Sequence, residues 1–130
     1  MALLVVGSLY LAATVERADK SAVAVASPDG KYKAVRVTTS GVQPVAFCVD
    51  TIAIFLSVYP DSFAVSERSY EVYGGPCAAP DKRKDLPKVE WLSNKAVRIT
   101  YAPEPGADKE PRLKTRDASL FVDVTYVKAE

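Results

Sequence analysis

Apolar and polar residues alternate with a period of two over most of this chain, a pattern that predicts β-strands. The strands are predicted at 31–39, 46–59, 68–73, 88–92, 95–102 and 119–127. Alanine and valine also alternate at 22–26, which favours a first strand there, with a signal-cleavage site as the alternative. The sequence therefore predicts an all-β fold, an antiparallel sheet or small sandwich of about six to seven strands.

The longest predicted strand, 46–59, is apolar on both faces. This is typical of a central strand that is covered on each side, or of one that partly faces a helix. Between the later strands, 74–87 and 103–117 are rich in Gly, Pro and charged residues, which predicts surface loops.

The N-terminal segment has no such alternation, since an uncharged apolar run begins at Met1, ends at Val15 and precedes the first charge at Glu16. A membrane span needs about 20 apolar residues, and a signal peptide needs fewer. We therefore expect residues 1–19 to be a signal or membrane-anchor segment with one apolar helix, and 20–130 to be a single β domain. No basic residue precedes the run, as one normally does in a signal peptide, and a buried helix of a cytosolic fold is the alternative.

Two predicted hairpins are similar to each other. Ala-Val-Arg-Val-Thr at 34–38 returns as Ala-Val-Arg-Ile-Thr at 96–100, and each copy follows a turn. Asp29 and Gly30 form the first turn and Asn94 lies in the second, where Gly or Asn accepts a positive φ. We expect the hairpins to pack as two halves of one sheet or sandwich, with Trp91 as the large core residue.

Composition is that of one globular domain, with 130 residues, 48% hydrophobic and 25% charged. A net charge of +1 and one basic cluster at 82–84, flanked by Asp81 and Asp85, argue against nucleic-acid binding. Cys48 and Cys77 are the two cysteines, and an even pair behind an export signal predicts a structural disulfide. A catalytic or metal-binding thiol is disfavoured because the chain has no histidine, so we expect no metal and no cofactor.

The turn Ser-Pro-Asp-Gly-Lys-Tyr at 27–32, followed by a strand, resembles the repeat of TolB-type β-propellers, where it joins two strands of a blade. A propeller needs about four or more blades, and this chain has room for little more than two. The chain also resembles small uncharacterised membrane-anchored bacterial envelope proteins, through its apolar N-terminal segment, this turn and Trp-Leu-Ser-Asn at 91–94. That resemblance implies a β domain in the periplasm, tethered to the inner membrane, and brings no catalytic residues.

Three classes of function remain. The first is a non-catalytic binder, an inhibitor or immunity protein against a toxin or another secreted or cell-wall-acting enzyme. Its candidate contact residues are two aromatics beside the disulfide and three acids of the second charged loop: Tyr70, Tyr73, Glu104, Asp108 and Glu110. The second class is an accessory subunit of an envelope complex, tethered by 1–15, that adds an edge strand to its neighbour.

The third class is a small hydrolase, and the residue types argue against it. Without histidine, acid-base chemistry falls to the carboxylates, lysines or tyrosines. The available carboxylates show no spacing that indicates a catalytic pair: Glu67, Asp85, Glu90 and Asp123. The sequence therefore predicts a protein that binds rather than catalyses.

Overall fold

The computed structural model describes residues 19–42, 45–102 and 111–129, and these are mostly β. The strands are β1 Asp19–Ala26, β2 Tyr32–Gly41, β3 Phe47–Leu56, β4 Glu71–Pro76, β5 Lys88–Ser93, β6 Ala96–Tyr101, β7 Arg112–Leu113 and β8 Asp123–Lys128. A short helix, α1 (Phe63–Ser66), and a 3-10 helix (Arg68–Tyr70) connect β3 to β4. The eight strands exceed the six to seven predicted, because the expectation did not include β7 and treated the 22–26 strand as one of two alternatives.

The strands form two sheets. The large sheet has the order β1-β2-β3-β4-β7 and all its pairs are antiparallel. The small sheet has the order β5-β6-β8, and β8 runs parallel to β6, so the antiparallel expectation is wrong for this pair. The predicted helix at 1–15 lies outside the described residues, and none of the described helices is long and apolar enough to cross a membrane.

Strand direction gives the domain two ends. β1 begins at the end that also carries the β2–β3 connection, which we call the N-terminal end. The opposite end carries the three turns β1–β2, β5–β6 and 117–122, and we call it the turn end. Exposed apolar side chains lie at both ends of the domain.

The two sheets share one apolar core. Residues of β2, β3 and β4 in the large sheet pack with residues of β6, of β8 and of the turn before β8 into a single cluster: Ala34, Ile52, Ile54, Val72, Tyr73, Val97, Ile99, Val122 and Val124. Burial of each large aliphatic side chain contributes about 1.5 to 3 kcal/mol. Trp91, predicted as the large core residue, packs against this cluster but is only half-buried.

The outer face of the large sheet has its own cover. Val35, Ala53 and Phe55 pack against α1 and the 3-10 helix, through Ala64, Phe63 and Tyr70. The prediction that the strand within 46–59 is covered on both faces is therefore confirmed, with the second cover supplied by the segment that follows it in sequence.

Three predicted strands have different bounds. β3 ends at Leu56 rather than at residue 59, because a turn follows it and leaves Val58 84% exposed. The predicted strand 68–73 begins as the 3-10 helix, so that β4 starts at Glu71. The predicted strand 119–127 begins with a turn, and β8 starts only at Asp123.

Candidate functional site

Two turns predicted from the repeated hairpin meet at the turn end. The backbone N–H of Asp29 donates to Oδ1 of Asn94 over 2.8 Å, and Gly30 has the positive φ of 74°. The carboxylate of Asp29 accepts the N–H of Lys31 and the hydroxyl of Ser27, and these hydrogen bonds lower the pKa of Asp29. Asp29, Gly30 and Asn94 thus tie the large sheet to the small one at this end.

The third turn at this end is organised by one buried carboxylate. Asp117 is buried, and its Oδ1 accepts the backbone N–H groups of Phe121 at 3.1 Å and Val122 at 3.0 Å. Its Oδ2 accepts the N–H of Ser119 at 3.3 Å and the hydroxyl of the same residue at 2.5 Å. Four hydrogen bonds to one carboxylate fix residues 119–122 relative to Asp117 and hold the turn rigid.

This turn holds two apolar side chains in solvent. Leu120 is 66% exposed and Phe121 is 63% exposed, although both residue types are normally buried. Leu120 also has a φ of 67°, the left-handed conformation that costs a residue with a Cβ about 1 to 2 kcal/mol. Strained backbone of this kind persists where the surrounding contacts fix it, and it is frequent at functional sites.

The geometry is suited to recognition. An aromatic and an aliphatic side chain on a rigid turn lose little conformational entropy when a partner covers them. Such side chains are the usual anchors of protein interfaces, where they fill pockets and lose their contact with water. The turn is therefore our candidate binding site, and we name it the Leu120–Phe121 turn.

The sequence analysis missed this turn. Leu120 alternates with Val122, Val124 and Tyr126, so periodicity alone extends β8 backwards through the turn. The available signal was Asp-Ala-Ser at 117–119, because Asp and Ser side chains hydrogen-bond to nearby backbone N–H groups and form turns.

The aromatic contact residues predicted from the sequence are not free anchors. Tyr73 is 1% exposed and belongs to the core, so the expectation of an exposed anchor there is wrong. Burial raises the pKa of its hydroxyl to about 12. Tyr70 is half-buried, and its ring packs against Phe55 at 5.6 Å and Phe63 at 6.2 Å between ring centroids.

The predicted acidic contact residues, Glu104, Asp108 and Glu110, lie outside the described residues. Of the carboxylates considered for catalysis, Glu90 pairs with Arg98 at 3.4 Å and Asp123 pairs with Arg116 at 3.3 Å. Over the described parts of the chain, no group of three or more Cys, Asp or Glu residues is arranged to hold a metal ion.

The predicted disulfide is confirmed. Cys48 and Cys77 are bonded, with their Cα atoms 5.4 Å apart, and the bond joins β3 to the residue that follows β4 at the N-terminal end. A structural disulfide is typical of an oxidising, exported compartment.

A second candidate surface is the free edge of β1. All eight residues of this strand are exposed, and among the described residues it pairs with β2 alone, while the indole N–H of Trp91 donates to the carbonyl of Val25. The N–H of Ser27 donates to the carbonyl of Tyr32, which makes this a hydrogen-bonded pair. Because bonded residues alternate in an antiparallel ladder, the backbone groups of Lys20, Ala22 and Ala24 point to the open side.

At the opposite edge of the large sheet, β7 and the segment after it are joined to the small sheet. The N–H of Val124 donates to the carbonyl of Thr115, so the segment after β7 lies along β8. The hydroxyl of Tyr126 lies within hydrogen-bond distance of the carbonyls of Val72 and Lys114, and burial raises its pKa. These contacts join the edges of the two sheets, and an exposed edge such as β1 is a template for a further strand.

Comparison with known proteins gives no relative, since no protein-family model, no curated protein and no solved structure matches this chain. The fold and the candidate site therefore define the molecule by class: a disulfide-bonded, mostly β domain with two sheets and a rigid turn that exposes apolar side chains.

Proposed function

We propose that this protein is an exported, non-catalytic protein-binding domain of the inhibitor or immunity type, which neutralises a secreted or cell-wall-acting enzyme. The observation that carries the proposal is the Leu120–Phe121 turn. Its two apolar side chains are exposed, and the buried carboxylate of Asp117 accepts hydrogen bonds from its backbone. In the proposed complex these side chains enter a pocket of the enzyme and block it. The disulfide supports the exported location.

The first experiment is an affinity capture with the full-length chain, tagged at its C-terminus and kept oxidised, from the secreted and membrane fractions of the native cells. The captured protein is identified by mass spectrometry and assayed with and without the bait. A single stoichiometric enzyme that loses its activity in the complex is the expected result. An enzyme that binds and keeps its activity contradicts the inhibitor proposal.

The binding site is tested with Phe121→Ala and with Val58→Ala as the matched control. Both side chains are exposed and lie at the turn end, but Val58 follows β3 and belongs to no rigid turn of this kind. Loss of an interface anchor costs about 2 kcal/mol or more, which is about a 30-fold weaker Kd. We expect that loss for Phe121→Ala alone, and equal affinities of the two variants would contradict the assignment.

The open edge of β1 favours a second candidate, a tethered accessory subunit of an envelope complex that pairs this strand with a neighbour. Ala24→Pro tests it, because proline removes an N–H that points to the open side and does not bond to β2. An accessory subunit loses its partner with Ala24→Pro and keeps it with Phe121→Ala, whereas an inhibitor shows the reverse pattern.

A further inference from the structure

The N-terminal end of the domain carries its own group of exposed apolar side chains. Val42 is 70% exposed, Val45 is 73% exposed and Phe47 is 40% exposed. All three lie where β2 turns into β3, and Ala46 between them is exposed as well. We name this group the hairpin tip. Among these four residues there is no charge, which is unusual for a solvent-exposed connection between strands.

The ring of Phe47 is held in place by a glycine on the neighbouring strand. Phe47 is the direct cross-strand partner of Gly41, and a Cβ on Gly41 would lie 2.6 Å from Cε1 of Phe47. The ring therefore lies over the glycine backbone, where no other residue type leaves room for it. An aromatic ring that covers a cross-strand glycine is a specific packing arrangement, and a Cβ at residue 41 would displace the ring of Phe47.

The hairpin tip lies beside the point where the N-terminal segment joins the domain. Asp19, the first residue of β1, pairs with Ser40, one residue before Gly41. The uncharged apolar run ends at Val15, and three residues lie between it and Asp19. If that run is in a bilayer, at most three residues separate it from the domain, so the N-terminal end faces the lipid surface.

Charged side chains surround the tip. Asp19 and Arg83 line the same surface groove as Val42 and Phe47, and Lys20 follows Asp19 on β1. Two cations and one acid next to an apolar tip are compatible with the headgroup region of an anionic bilayer, where basic residues are attracted and aromatic rings are enriched.

From this arrangement we infer that the hairpin tip is a lipid-contacting site, which inserts Val42, Val45 and Phe47 into the interfacial region of the bilayer that holds the N-terminal segment. We assign the bilayer and not a protein as the partner of the hairpin tip, because the short connection leaves little room for a protein between the tip and the membrane. The Leu120–Phe121 turn lies at the opposite end and would face away from the bilayer. The inference goes beyond the proposed function and does not depend on which protein is bound.

The test places a tryptophan at the tip and measures its contact with lipid. The full-length Val45→Trp variant is reconstituted into vesicles of phosphatidylethanolamine and phosphatidylglycerol, with and without bromine on the acyl chains. Phe121→Trp is the matched control, since residue 121 is similarly exposed and lies at the other end. The emission of Trp91, the one native tryptophan, is measured in the unmodified chain and subtracted.

We expect the tip tryptophan to lose about half of its emission to brominated lipid and to shift to shorter wavelength, as a side chain in the interfacial region does. The control should lose almost none. If circular dichroism shows that the Val45→Trp variant does not fold, the same quenching is measured with Phe47→Trp. Quenching of both ends, of the control alone or of neither would overturn the inference.

Discussion

At the scale of single residues, Leu120 has an unfavourable backbone conformation in a turn that the rest of the molecule holds rigid. Its φ of 67° is a backbone conformation that glycine adopts at no steric cost, and its side chain is two-thirds exposed. A conformation that lowers stability and places an apolar side chain in water is consistent with selection for binding.

The first prediction concerns this strain. Leu120→Gly removes the clash of the Cβ and should raise the free energy of unfolding by about 1 kcal/mol. Urea denaturation of the two proteins under oxidising conditions measures the difference. Leu120→Ala serves as the control, because it shortens the side chain and keeps the strained Cβ, so its stability should not rise. A less stable glycine variant would show that the leucine side chain stabilises the fold.

The second prediction concerns Asp50, a buried carboxylate of β3 that accepts a hydrogen bond from the hydroxyl of Thr38. Burial raises the pKa of Asp50 above 3.8, while that hydrogen bond and the charges of Arg36 and Arg83 partly oppose the rise. The folded protein therefore binds this proton more tightly than the unfolded chain does. The contribution of Asp50 to the free energy of unfolding is therefore fully present below pH 3.8. It is lost as the pH rises through the raised pKa.

Asp50→Asn removes that titration and keeps an acceptor for Thr38. Relative to this variant, the unmodified protein should lose unfolding free energy as the pH rises from below 3.8, and the difference should level off above the raised pKa. Denaturation curves at a series of pH values measure it. A difference that is independent of pH would mean that the carboxyl group has its ordinary pKa.

At the scale of elements, period-two alternation predicted the strands well and their ends poorly. β2, β5 and β6 lie within one or two residues of the predicted bounds, because their alternation stops at turns with Gly, Asn or Pro nearby. The 3-10 helix and the turn before β8 were missed, since three residues of helix have no detectable period and Leu120 and Phe121 continue the alternation by chance.

The pairing of the elements was less predictable than their existence. The repeated Ala-Val-Arg motif led to two hairpins, and their turns do meet through Asp29 and Asn94. The parallel pairing of β6 with β8 has no signature in a single sequence, because it joins strands that are separated by a long connection. The candidate site depends on the buried carboxylate of Asp117, whose hydrogen-bond partners, Ser119, Phe121 and Val122, all lie within five residues of it in sequence.

At the scale of the whole molecule, two links stabilise the domain, one at each end. Cys48 and Cys77 join residues that are 29 apart in sequence at the N-terminal end, and the hydrogen bond between Asp29 and Asn94 joins the sheets at the other. The domain is thus fastened at both ends around one core. The covalent link restricts the unfolded chain more than any single hydrogen bond does.

The third prediction follows from this arrangement. Reduction of the disulfide should lower the free energy of unfolding by about 3 to 4 kcal/mol, the chain-entropy value for a loop of this length. Chemical denaturation with and without a reductant measures the loss. The double variant Cys48→Ser, Cys77→Ser should be as unstable as the reduced protein and insensitive to the reductant. A reduced protein as stable as the oxidised one would contradict the prediction.

The place of β8 in the core also sets an order of events during folding. Val122 and Val124 are buried among residues of β2, β3 and β6, yet they come near the end of the described chain. The core of the described strands is therefore incomplete until Val122 and Val124 have inserted next to β6. Contacts between residues so distant in sequence form slowly, so the chain remains unfolded for longer. A core shared in this way favours folding of the described strands as one cooperative unit, because β2 and β3 are fully packed only when β8 is in place.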